Sequence, residues 1–440
     1  MENTVLIDTN LYLDDADIIY KLSSDFNKIL IPITVLKELD KKKYEKDLSY
    51  SARNAIKAIL NFSANNPEKI IFDTQKYGQP DADDRILTSA KAHKAVVATK
   101  DVNMSITARS FGLKSMLHEV VTSSIFDPYL HLHMDELQEM VEKENFSYGQ
   151  EYIAEDYQKI TTVFSTLSEN RFSKENWWFV IIDVNTKFPI IYANHPIDCK
   201  LVRIDDKPIY REIRTEGSNI KARDCYQICA IYAMLEAPNT LICGSYGSGK
   251  SLLASAYAIS YNTDRKTFIS RPNLTVDKRF SLGFLPGSLE EKLNPWMAGF
   301  ISSLYHIFSN TKGQITEKAP RLDNTYDFVK DTIFTKYFEM VPLDSLQGTS
   351  FMNGDLLLLD EAQLCSIPVL ATILSRFGEG SKLVMTGDIQ QTYGVISPSE
   401  NGLLKLLRLL PNNNLAYVVL KNNYRSNLLE LANKLQNKVL

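Results

Sequence analysis

The sequence predicts an α/β protein in which two parallel sheets, each covered by helices, are separated by a small β-rich segment. Over residues 1–125, short apolar runs typical of buried strands alternate with helical patterns. This rhythm is lost over residues 126–215 and returns over residues 216–440. Because strand–helix alternation is typical of parallel sheets, we expect three domains with these boundaries.

The composition is that of an ordinary globular chain. Hydrophobic residues make up 44% and charged residues 23% of the 440 residues, and the formal net charge is −4. These fractions are close to average usage and favour sizeable cores over disorder. With a negative net charge, a nucleic-acid partner has to be held by a local basic groove.

Two classes of protein are disfavoured. The five cysteines lack the paired spacing that is typical of a disulfide framework or a zinc site. No apolar run approaches the roughly 18 residues that cross a membrane, and the first residues lack the pattern of a signal peptide. We therefore expect a cytoplasmic protein with no membrane partner.

Acidic residues follow the predicted strands of the N-terminal domain. Asp8 ends the strand "TVLID", Glu38 lies in the first turns of the helix after "KILIPI", and Asp101 follows the strand "KAVVAT". Because the carboxyl ends of parallel strands meet at one edge of a sheet, these side chains should lie close together. Such a cluster is stable only with divalent cations or with raised pKa values.

Three further aspartates crowd the start of the predicted helix in "GQPDADDRILTSAKAH". Asp83 shares the helix face of the apolar stripe that runs from Ile86 to Ala90, which predicts that it points inward. Asp84 belongs on the flank of that stripe, and Asp81 is placed to cap the helix. Asp83 is therefore the one of the three that we expect to join the acidic cluster.

The middle segment has weaker signals. "MDELQEMVEKENF" is typical of an exposed acidic helix. "WWFVIIDVNTKFPIIYAN" holds two β-rich runs on either side of an Asn-Thr-Lys turn, which predicts a hairpin.

The stretch "GSYGSGKS" fits the pattern G-x-x-x-x-G-K-[ST] and lies between a predicted strand and a predicted helix. Its backbone N–H groups would face a triphosphate at the start of the helix, which predicts ATP as cofactor. Lys250 would reach the β- and γ-phosphates, and the Ser251 hydroxyl would bind Mg²⁺. The predicted phosphate loop comprises Gly244, Ser245, Tyr246, Gly247, Ser248, Gly249, Lys250 and Ser251.

A second acidic motif supports a P-loop NTPase. "LLLLDE" is a continuous apolar run, as expected for a central parallel strand, and it ends in Asp360 and Glu361. Asp360 would position Mg²⁺, and Glu361 would orient and deprotonate the attacking water. Gln390, after the strand "KLVMTGD", lies where a sensor of the γ-phosphate is expected. Arg376 and Arg425 are candidates for a transition-state cation, and a structural salt bridge explains each of them equally well.

The C-terminal motifs resemble the PhoH family of ATPases, which are related to superfamily 1 helicases. "FISRPNLTVDKRFSLGFLPGSLEEKLNPWM", "LLLLDEAQ" and "GEGSKLVMTGDIQQ" carry the resemblance over about residues 220–410. It implies a RecA-like parallel sheet, a role for Gln227 in reading adenine and, from "NNYRS", contact of Arg425 with the γ-phosphate. Where the family has an arginine-rich R-G-R, this chain has "LQGTS", and Tyr246 is bulkier than the residue usual in the loop.

The N-terminal motifs resemble the PIN-domain ribonucleases over about residues 1–120. "LIDTNLYL", "IPITVLKELD", "DDRILTSA" and "VATKDVNMSITARSFGL" match in order. The resemblance implies that Asp8, Glu38, Asp83 and Asp101 hold one or two Mg²⁺ or Mn²⁺ ions, which activate water for in-line attack on a phosphodiester. Asn10 and Asn103 are supporting polar residues.

The whole layout resembles proteins that fuse a PIN domain to a PhoH domain, which are thought of as ring-forming RNA helicase-nucleases. It implies an ATP-dependent RNA helicase or translocase coupled to a metal-dependent endoribonuclease. RNA, single-stranded or duplex with tails, and further copies of the chain in a ring are the implied partners.

Two alternatives stay open. One is an ATP-dependent RNA-binding remodeller whose PIN domain is a docking module, and the other is the same engine acting on single-stranded DNA. Basic residues near the two sites fit nucleic-acid capture in either case, although such residues are often only a solvated or packing surface. These are Lys41, Lys42, Lys43, Lys278 and Arg279.

Overall fold

The computed structural model describes residues 3–45, 48–79, 81–117, 125–144, 149, 151–215, 218–261, 266–272, 299–308, 334–389, 391, 396 and 400–424. The chain divides into two compact units, Met1–Ser124 with Ile396–Asn401 and Ile125–Val395 with Gly402–Leu440. Within the described ranges, no helix combines the length and apolar character that crossing a bilayer requires.

In the N-terminal unit, strands and helices alternate as the sequence predicts. The described elements are β1 (Thr4–Ile7), α1 (Thr9–Asp14), α2 (Ile18–Asp25), β2 (Lys28–Pro32), α3 (Ile33–Lys42), α4 (Ser49–Asn65), β3 (Ile70–Asp73), α5 (Ala82–Ala92), β4 (Val96–Thr99), α6 (Val102–Ser110) and β5 (Ser115–Leu117). The strands pair in parallel in the order β3-β2-β1-β4-β5.

The sheet of this unit is buried by helices. Val5, Leu6 and Ile7 of β1 are 0% exposed, as expected for a central strand of a parallel sheet. Ile86, Leu87 and Ala90 of α5 are also fully buried, which confirms the apolar stripe that the sequence predicts for that helix.

The second unit begins with a mixed sheet. Its described elements are β6 (Tyr129–Leu132), α7 (Met134–Glu144), β7 (Glu151–Tyr152), α8 (Ala154–Leu167), β8 (Phe179–Ile182), β9 (Ile190–His195) and β10 (Lys200–Arg203), followed by α9 (Pro208–Arg211) and the hairpin strands β11 (Glu212–Thr215) and β12 (Ser218–Lys221). The sheet order is β6-β8-β9-β10-β7. The antiparallel pair β8–β9 is the predicted hairpin, and α7 is the predicted acidic helix.

The remaining described elements form a P-loop fold. They are α10 (Cys225–Glu236), β13 (Thr240–Gly244), α11 (Lys250–Tyr261), β14 (Thr267–Ser270), α12 (Thr335–Tyr337), β15 (Phe338–Met340), β16 (Leu356–Leu359), α13 (Ile367–Leu374), β17 (Lys382–Gly387), α14 (Gly402–Leu407) and β18 (Ala416–Leu420). The parallel order is β15-β14-β16-β17-β13-β18. The predicted fold class is therefore confirmed in both units.

The middle sheet shares its cores with the P-loop sheet. Side chains of β8 and β16 alternate between two clusters, so that Phe179 and Leu358 lie in one and Val180 and Leu357 lie in the other. Alternation of this kind is expected when both faces of a sheet are covered. The described residues between 125 and 215 thus pack within the second unit, while the boundary expected at residue 216 stays a prediction.

Tyr129 connects the middle sheet to the edge strand β18. Its hydroxyl donates to the Val419 carbonyl oxygen at 2.9 Å and accepts from the Val419 N–H at 3.0 Å. One buried side chain thereby satisfies both polar groups of a residue at the sheet edge, where unpaired backbone groups would otherwise be costly.

Candidate functional site

The phosphate loop lies between β13 and the start of α11, as the motif predicts. Two of its glycines are needed for steric reasons. A Cβ on Gly244 would lie 2.8 Å from the Leu420 carbonyl oxygen, and Gly249 has a φ of 97°, which L side chains rarely adopt. The loop can therefore keep this conformation only with glycine at these positions.

Within this loop, the Lys250 ammonium donates hydrogen bonds to the carbonyl oxygens of Gly244 at 2.6 Å and Ser245 at 3.0 Å. The Ser248 hydroxyl also donates to Ser245, at 2.9 Å. Tyr246 is half-buried in the same loop. The lysine is thus held against the loop whose ligand it is predicted to contact.

The two predicted magnesium ligands of the phosphate site are in contact. The Ser251 hydroxyl donates to Asp360 Oδ1 at 3.1 Å, and the Thr386 hydroxyl donates to the same oxygen. Asp360 follows β16 at the carboxyl edge of the sheet and is 4% exposed. The atoms available here to bind a metal are oxygens, which suits the hard cation Mg²⁺.

Glu361 is held in a strained and desolvated position. Its φ is 58°, in the left-handed region, and such strain clusters at functional sites. Burial and the neighbouring Asp360 raise its pKa, while Arg271 and Gln363 oppose that shift. The Gln363 amide donates to Glu361 Oε2 at 2.5 Å, and Gln363 Oε1 accepts from the Asp388 N–H at 3.0 Å. Gln363 therefore links the predicted base to the end of β17.

Arg271, to which the sequence analysis gave no role, lies beside both acids. Its Nη1 is 3.6 Å from Asp360 Oδ2, and its Nη2 is 3.2 Å from Glu361 Oε1. A basic residue directly after a buried strand of a parallel sheet is the signal that could have identified it. The reasoning that singled out Asp360 and Glu361 applies equally to the end of β14.

Gln227 supports the phosphate loop from α10. Its Nε2 donates to the Ser248 carbonyl oxygen at 3.0 Å, and its Oε1 accepts from the Arg223 N–H at 2.9 Å. Both ends of the amide are thus engaged by the protein itself, and reading adenine would require an exchange of these partners. Nearby, the Tyr424 N–H donates to the Gly247 carbonyl oxygen at 3.0 Å.

The structure does not bring Arg376 to this site. The Arg376 carbonyl oxygen accepts from the Phe351 N–H at 2.9 Å, and Phe351 lies just before β16. The arginine is therefore at the amino edge of the sheet, because α13 runs back from the carboxyl edge, where the phosphate loop lies. Gln390, Arg425, Lys278 and Arg279 lie outside the described residues.

The second site is the acidic cluster of the N-terminal unit. Asp8 is 2% exposed, and its Oδ2 accepts from the Thr99 hydroxyl at 2.8 Å. That hydroxyl in turn accepts from the Asp101 N–H at 3.0 Å. Glu38 Oε2 accepts from the Thr9 hydroxyl at 2.5 Å. Thr9 and Thr99 are functional candidates that the sequence analysis did not name, and each is adjacent to or near a predicted acid.

The electrostatics place the four predicted acids near one another. Burial raises the pKa of Asp8 to about 6, and the charges of Asp83 and Glu38 add to this effect. Asp83 is more exposed, yet partial desolvation raises its pKa, and the charges of Asp81, Glu38 and Asp101 raise it further. Asp83 thus interacts with Asp8, Glu38 and Asp101, and Asp8 also interacts with Glu38, as convergence at one edge of the sheet predicts.

The aspartates at the start of α5 differ in position. Asp81 is the predicted cap, since its carboxylate accepts from the Ala82 N–H at 2.7 Å. Asp83 is exposed rather than buried, which corrects the expectation that it points inward. It lies in the first turn, before the part of α5 that packs on the sheet. Asp84 is half-buried.

Asp101 also has a structural role. Its Oδ1 caps α6 by accepting from the N–H groups of Asn103 at 2.7 Å and Met104 at 3.4 Å. In the described part of the chain, no group of three or more His, Cys, Asp or Glu side chains is placed to hold a metal ion. The donor chemistry nevertheless fits a divalent cation, because carboxylate oxygens suit a hard cation and a positive charge would offset the repulsion that Asp83 and Glu38 add to the effect of burial on Asp8.

Asp73 organises the approach to α5. It ends β3 at the same edge, and it accepts from Ser89 Oγ at 2.6 Å, Tyr77 Oη at 2.8 Å and the Gln75 N–H at 2.9 Å. Burial alone would raise its pKa, but these hydrogen bonds lower it overall. Asp73 therefore fixes the loop that precedes the aspartates of α5.

Comparisons with known proteins find a matching family for the N-terminal part and for the C-terminal part of the chain. Residues 219–435 match the family described as PhoH-like protein, and residues 5–119 match the family described as PIN domain. Protein PhoH2 of Bacillus subtilis (strain 168) is 25% identical, over 95% of this chain and 93% of that protein. Protein PhoH2 of Mycolicibacterium smegmatis is 23% identical, over 99% and 97%. A PhoH-like protein of Synechocystis sp. is 30% identical, over 40% of this chain and 49% of its own length.

Proposed function

Since the chain carries a PIN domain followed by a PhoH-like P-loop domain, we propose that it is an ATP-dependent RNA helicase or translocase coupled to a divalent-metal-dependent endoribonuclease. The observation that carries the proposal is that one chain holds two carboxylate sites, each at the carboxyl edge of a parallel sheet, and that one of them adjoins a phosphate loop.

At the phosphate site, Lys250 would exchange its two carbonyl acceptors for phosphate oxygens, and the loop N–H groups would bind the triphosphate. Glu361, held by Gln363, would take the proton of the attacking water, and its raised pKa brings it closer to that task. Mg²⁺, when bound by Ser251 and Asp360, would neutralise charge on the phosphates.

At the acidic cluster, Asp8, Glu38, Asp83 and Asp101 would hold Mg²⁺ or Mn²⁺, which when bound would supply an activated water for attack on a phosphodiester. Thr99 and Thr9 would fix the orientations of Asp8 and Glu38. The exposed position of Asp83 supports a substrate reached from solvent. RNA as that substrate, a ring-shaped assembly and a cytoplasmic location stay predictions.

The alternative hypothesis is an ATP-dependent RNA-binding remodeller whose PIN domain is only a docking module. The cap that Asp101 provides to α6 favours it, since a capping aspartate needs no catalytic explanation. Cleavage separates the two readings, because a docking module leaves RNA intact.

The test compares the wild type with Asp83→Asn and Lys250→Ala on end-labelled RNA with Mg²⁺ or Mn²⁺. We expect Asp83→Asn to slow cleavage roughly 100-fold and Lys250→Ala to slow ATP hydrolysis on the order of 1,000-fold. Asp25→Asn and Lys405→Ala, which change exposed residues away from the two sites, are controls that should behave as the wild type. Wild-type cleavage by Asp83→Asn would contradict the nuclease assignment, and wild-type hydrolysis by Lys250→Ala would contradict the ATPase assignment.

A further inference from the structure

We propose that Arg271 is a catalytic residue of the phosphate site. It would contact the γ-phosphate of ATP and position the Glu361 carboxylate beside that phosphate. The inference rests on the proposed ATP hydrolysis and adds a residue to it. In the reaction, a water oxygen bonds to the γ-phosphorus while the bond to the bridging oxygen of ADP breaks. Glu361 takes the water proton, ADP leaves with the bonding electrons, and Arg271 would offset charge on the transferred group.

The backbone fixes Arg271 beside the two acids. It directly follows β14, whose last residue, Ser270, is in register with Leu359 of β16. The Asp360 N–H donates to the Ser270 carbonyl oxygen at 3.0 Å. Because that bond lies between adjacent parallel strands, Arg271 and the pair Asp360–Glu361 leave the sheet side by side.

The contacts of Arg271 with the two acids are unequal. The contact with Glu361, at 3.2 Å, is close enough for a hydrogen bond, whereas the contact with Asp360, at 3.6 Å, is an ion pair only. A cation held by Asp360 would take over the charge balance there. The guanidinium has five N–H donors in a planar fork, so a phosphate oxygen could replace one of its present partners while the hydrogen bond to Glu361 is kept.

One described neighbour approaches the guanidinium closely. Arg271 is 26% exposed at its side chain, and a Cβ on Gly299 would lie 3.2 Å from Nη1. The helical residues 299–308 thus pass close to this arginine with glycine at the point of approach. This gives a way to displace Arg271 slightly without removing a charge from the site.

The experiment measures two quantities for the wild type, Arg271→Gln, Arg271→Lys and Gly299→Ala. The first is the rate of ATP hydrolysis, and the second is the binding of a fluorescent ADP and of a fluorescent non-hydrolysable ATP analogue, both with Mg²⁺. The exposed arginine of α9 supplies the control Arg211→Gln. Thermal melting checks that each variant is folded.

We expect Arg271→Gln to lower kcat by about 100-fold. Binding of the ATP analogue should weaken by about 10-fold, while ADP binding changes by less than about 2-fold. Arg271→Lys should recover only part of the loss, because it restores the charge but not the fork. Gly299→Ala should lower kcat with ADP binding unchanged.

Two results would overturn the inference. One is wild-type hydrolysis by Arg271→Gln, and the other is an equal loss of ADP and ATP-analogue binding, which indicates a structural role. A wild type that does not hydrolyse ATP would contradict the proposed function instead, and the preference for the ATP analogue over ADP would still decide the role of Arg271.

Discussion

Asp8 offers a direct test of the acidic cluster in the absence of metal, through the substitution Asp8→Asn. The side chain is 2% exposed and lies near the charges of Asp83 and Glu38. An asparagine has nearly the same shape, and its Oδ1 can still accept the hydrogen bond from Thr99. The substitution therefore removes a buried charge and leaves the packing almost unchanged.

The expected magnitude follows from the pKa of Asp8. Folding raises it from 3.8 to about 6, a difference of about 2 pKa units or ~3 kcal/mol. The folded state therefore binds the proton more tightly than the unfolded state. The wild type should lose this stability as the pH rises from 3.8 through about 6. Asp8→Asn should then be more stable by up to ~3 kcal/mol at neutral pH and equally stable below the lower value.

The assay has to observe the N-terminal unit in the full chain. All three tryptophans lie outside residues 1–124, at Trp177, Trp178 and Trp296, so this part of the chain holds no tryptophan of its own as a probe. Hydrogen exchange of peptides that cover Thr4–Ile7 and Val96–Thr99, in metal-free buffer, compares wild type and variant at matched pH. Calorimetric melting gives a second measure, with an upward shift of up to roughly 12 °C expected at neutral pH.

Three results separate this account from its alternatives. Asp25→Asn removes an exposed acid of the same unit and should change nothing. Added Mg²⁺ should stabilise the wild type but not Asp8→Asn, because binding to the folded state alone raises its stability. An asparagine variant that is less stable than the wild type at neutral pH, or a stability difference that persists in acid, would refute the reasoning.

Three further predictions concern other described contacts. Asp73→Asn should destabilise the N-terminal unit by about 2 kcal/mol at neutral pH. The loss should be smaller in acid, because the pKa of Asp73 is lowered in the folded state. Hydrogen exchange of peptides around Tyr77 measures this, and a pH-independent effect would contradict it. Tyr129→Phe leaves both polar groups of Val419 unpaired and should cost about 1–3 kcal/mol in denaturant melts followed by tryptophan fluorescence; an unchanged midpoint would count against it. Glu361→Gln should bind ATP normally in fluorescence titrations yet lose hydrolysis, and retained turnover would remove its role as base.

Local patterns in the sequence predict much of the fold and part of the sites. The phosphate loop and the run "LLLLDE" were identified because their chemistry needs fixed residues at fixed spacing. The cap at Asp81 followed from its position before a helix. Such features depend on neighbours along the chain, which the sequence shows directly.

Contacts between distant segments could not be predicted in the same way. Arg271 meets Glu361 because β14 and β16 are adjacent, and strand order is not visible in the sequence. The internal partners of Gln227 and the place of Arg376 at the far edge of the sheet have the same origin. The exposure of Asp83 was not predicted, because helix periodicity shows which face of α5 is apolar but not at which turn the helix begins to pack on the core.

The measurement that tests the central claim most directly is the cleavage of an end-labelled RNA duplex with a single-stranded tail, with ATP or with a non-hydrolysable ATP analogue. Coupling of the two sites predicts cleavage within the duplex region only when ATP is hydrolysed, and loss of all cleavage in Asp83→Asn. Cleavage of the duplex at the same rate with the analogue, or RNA left intact with ATP and Mg²⁺ or Mn²⁺, would contradict it.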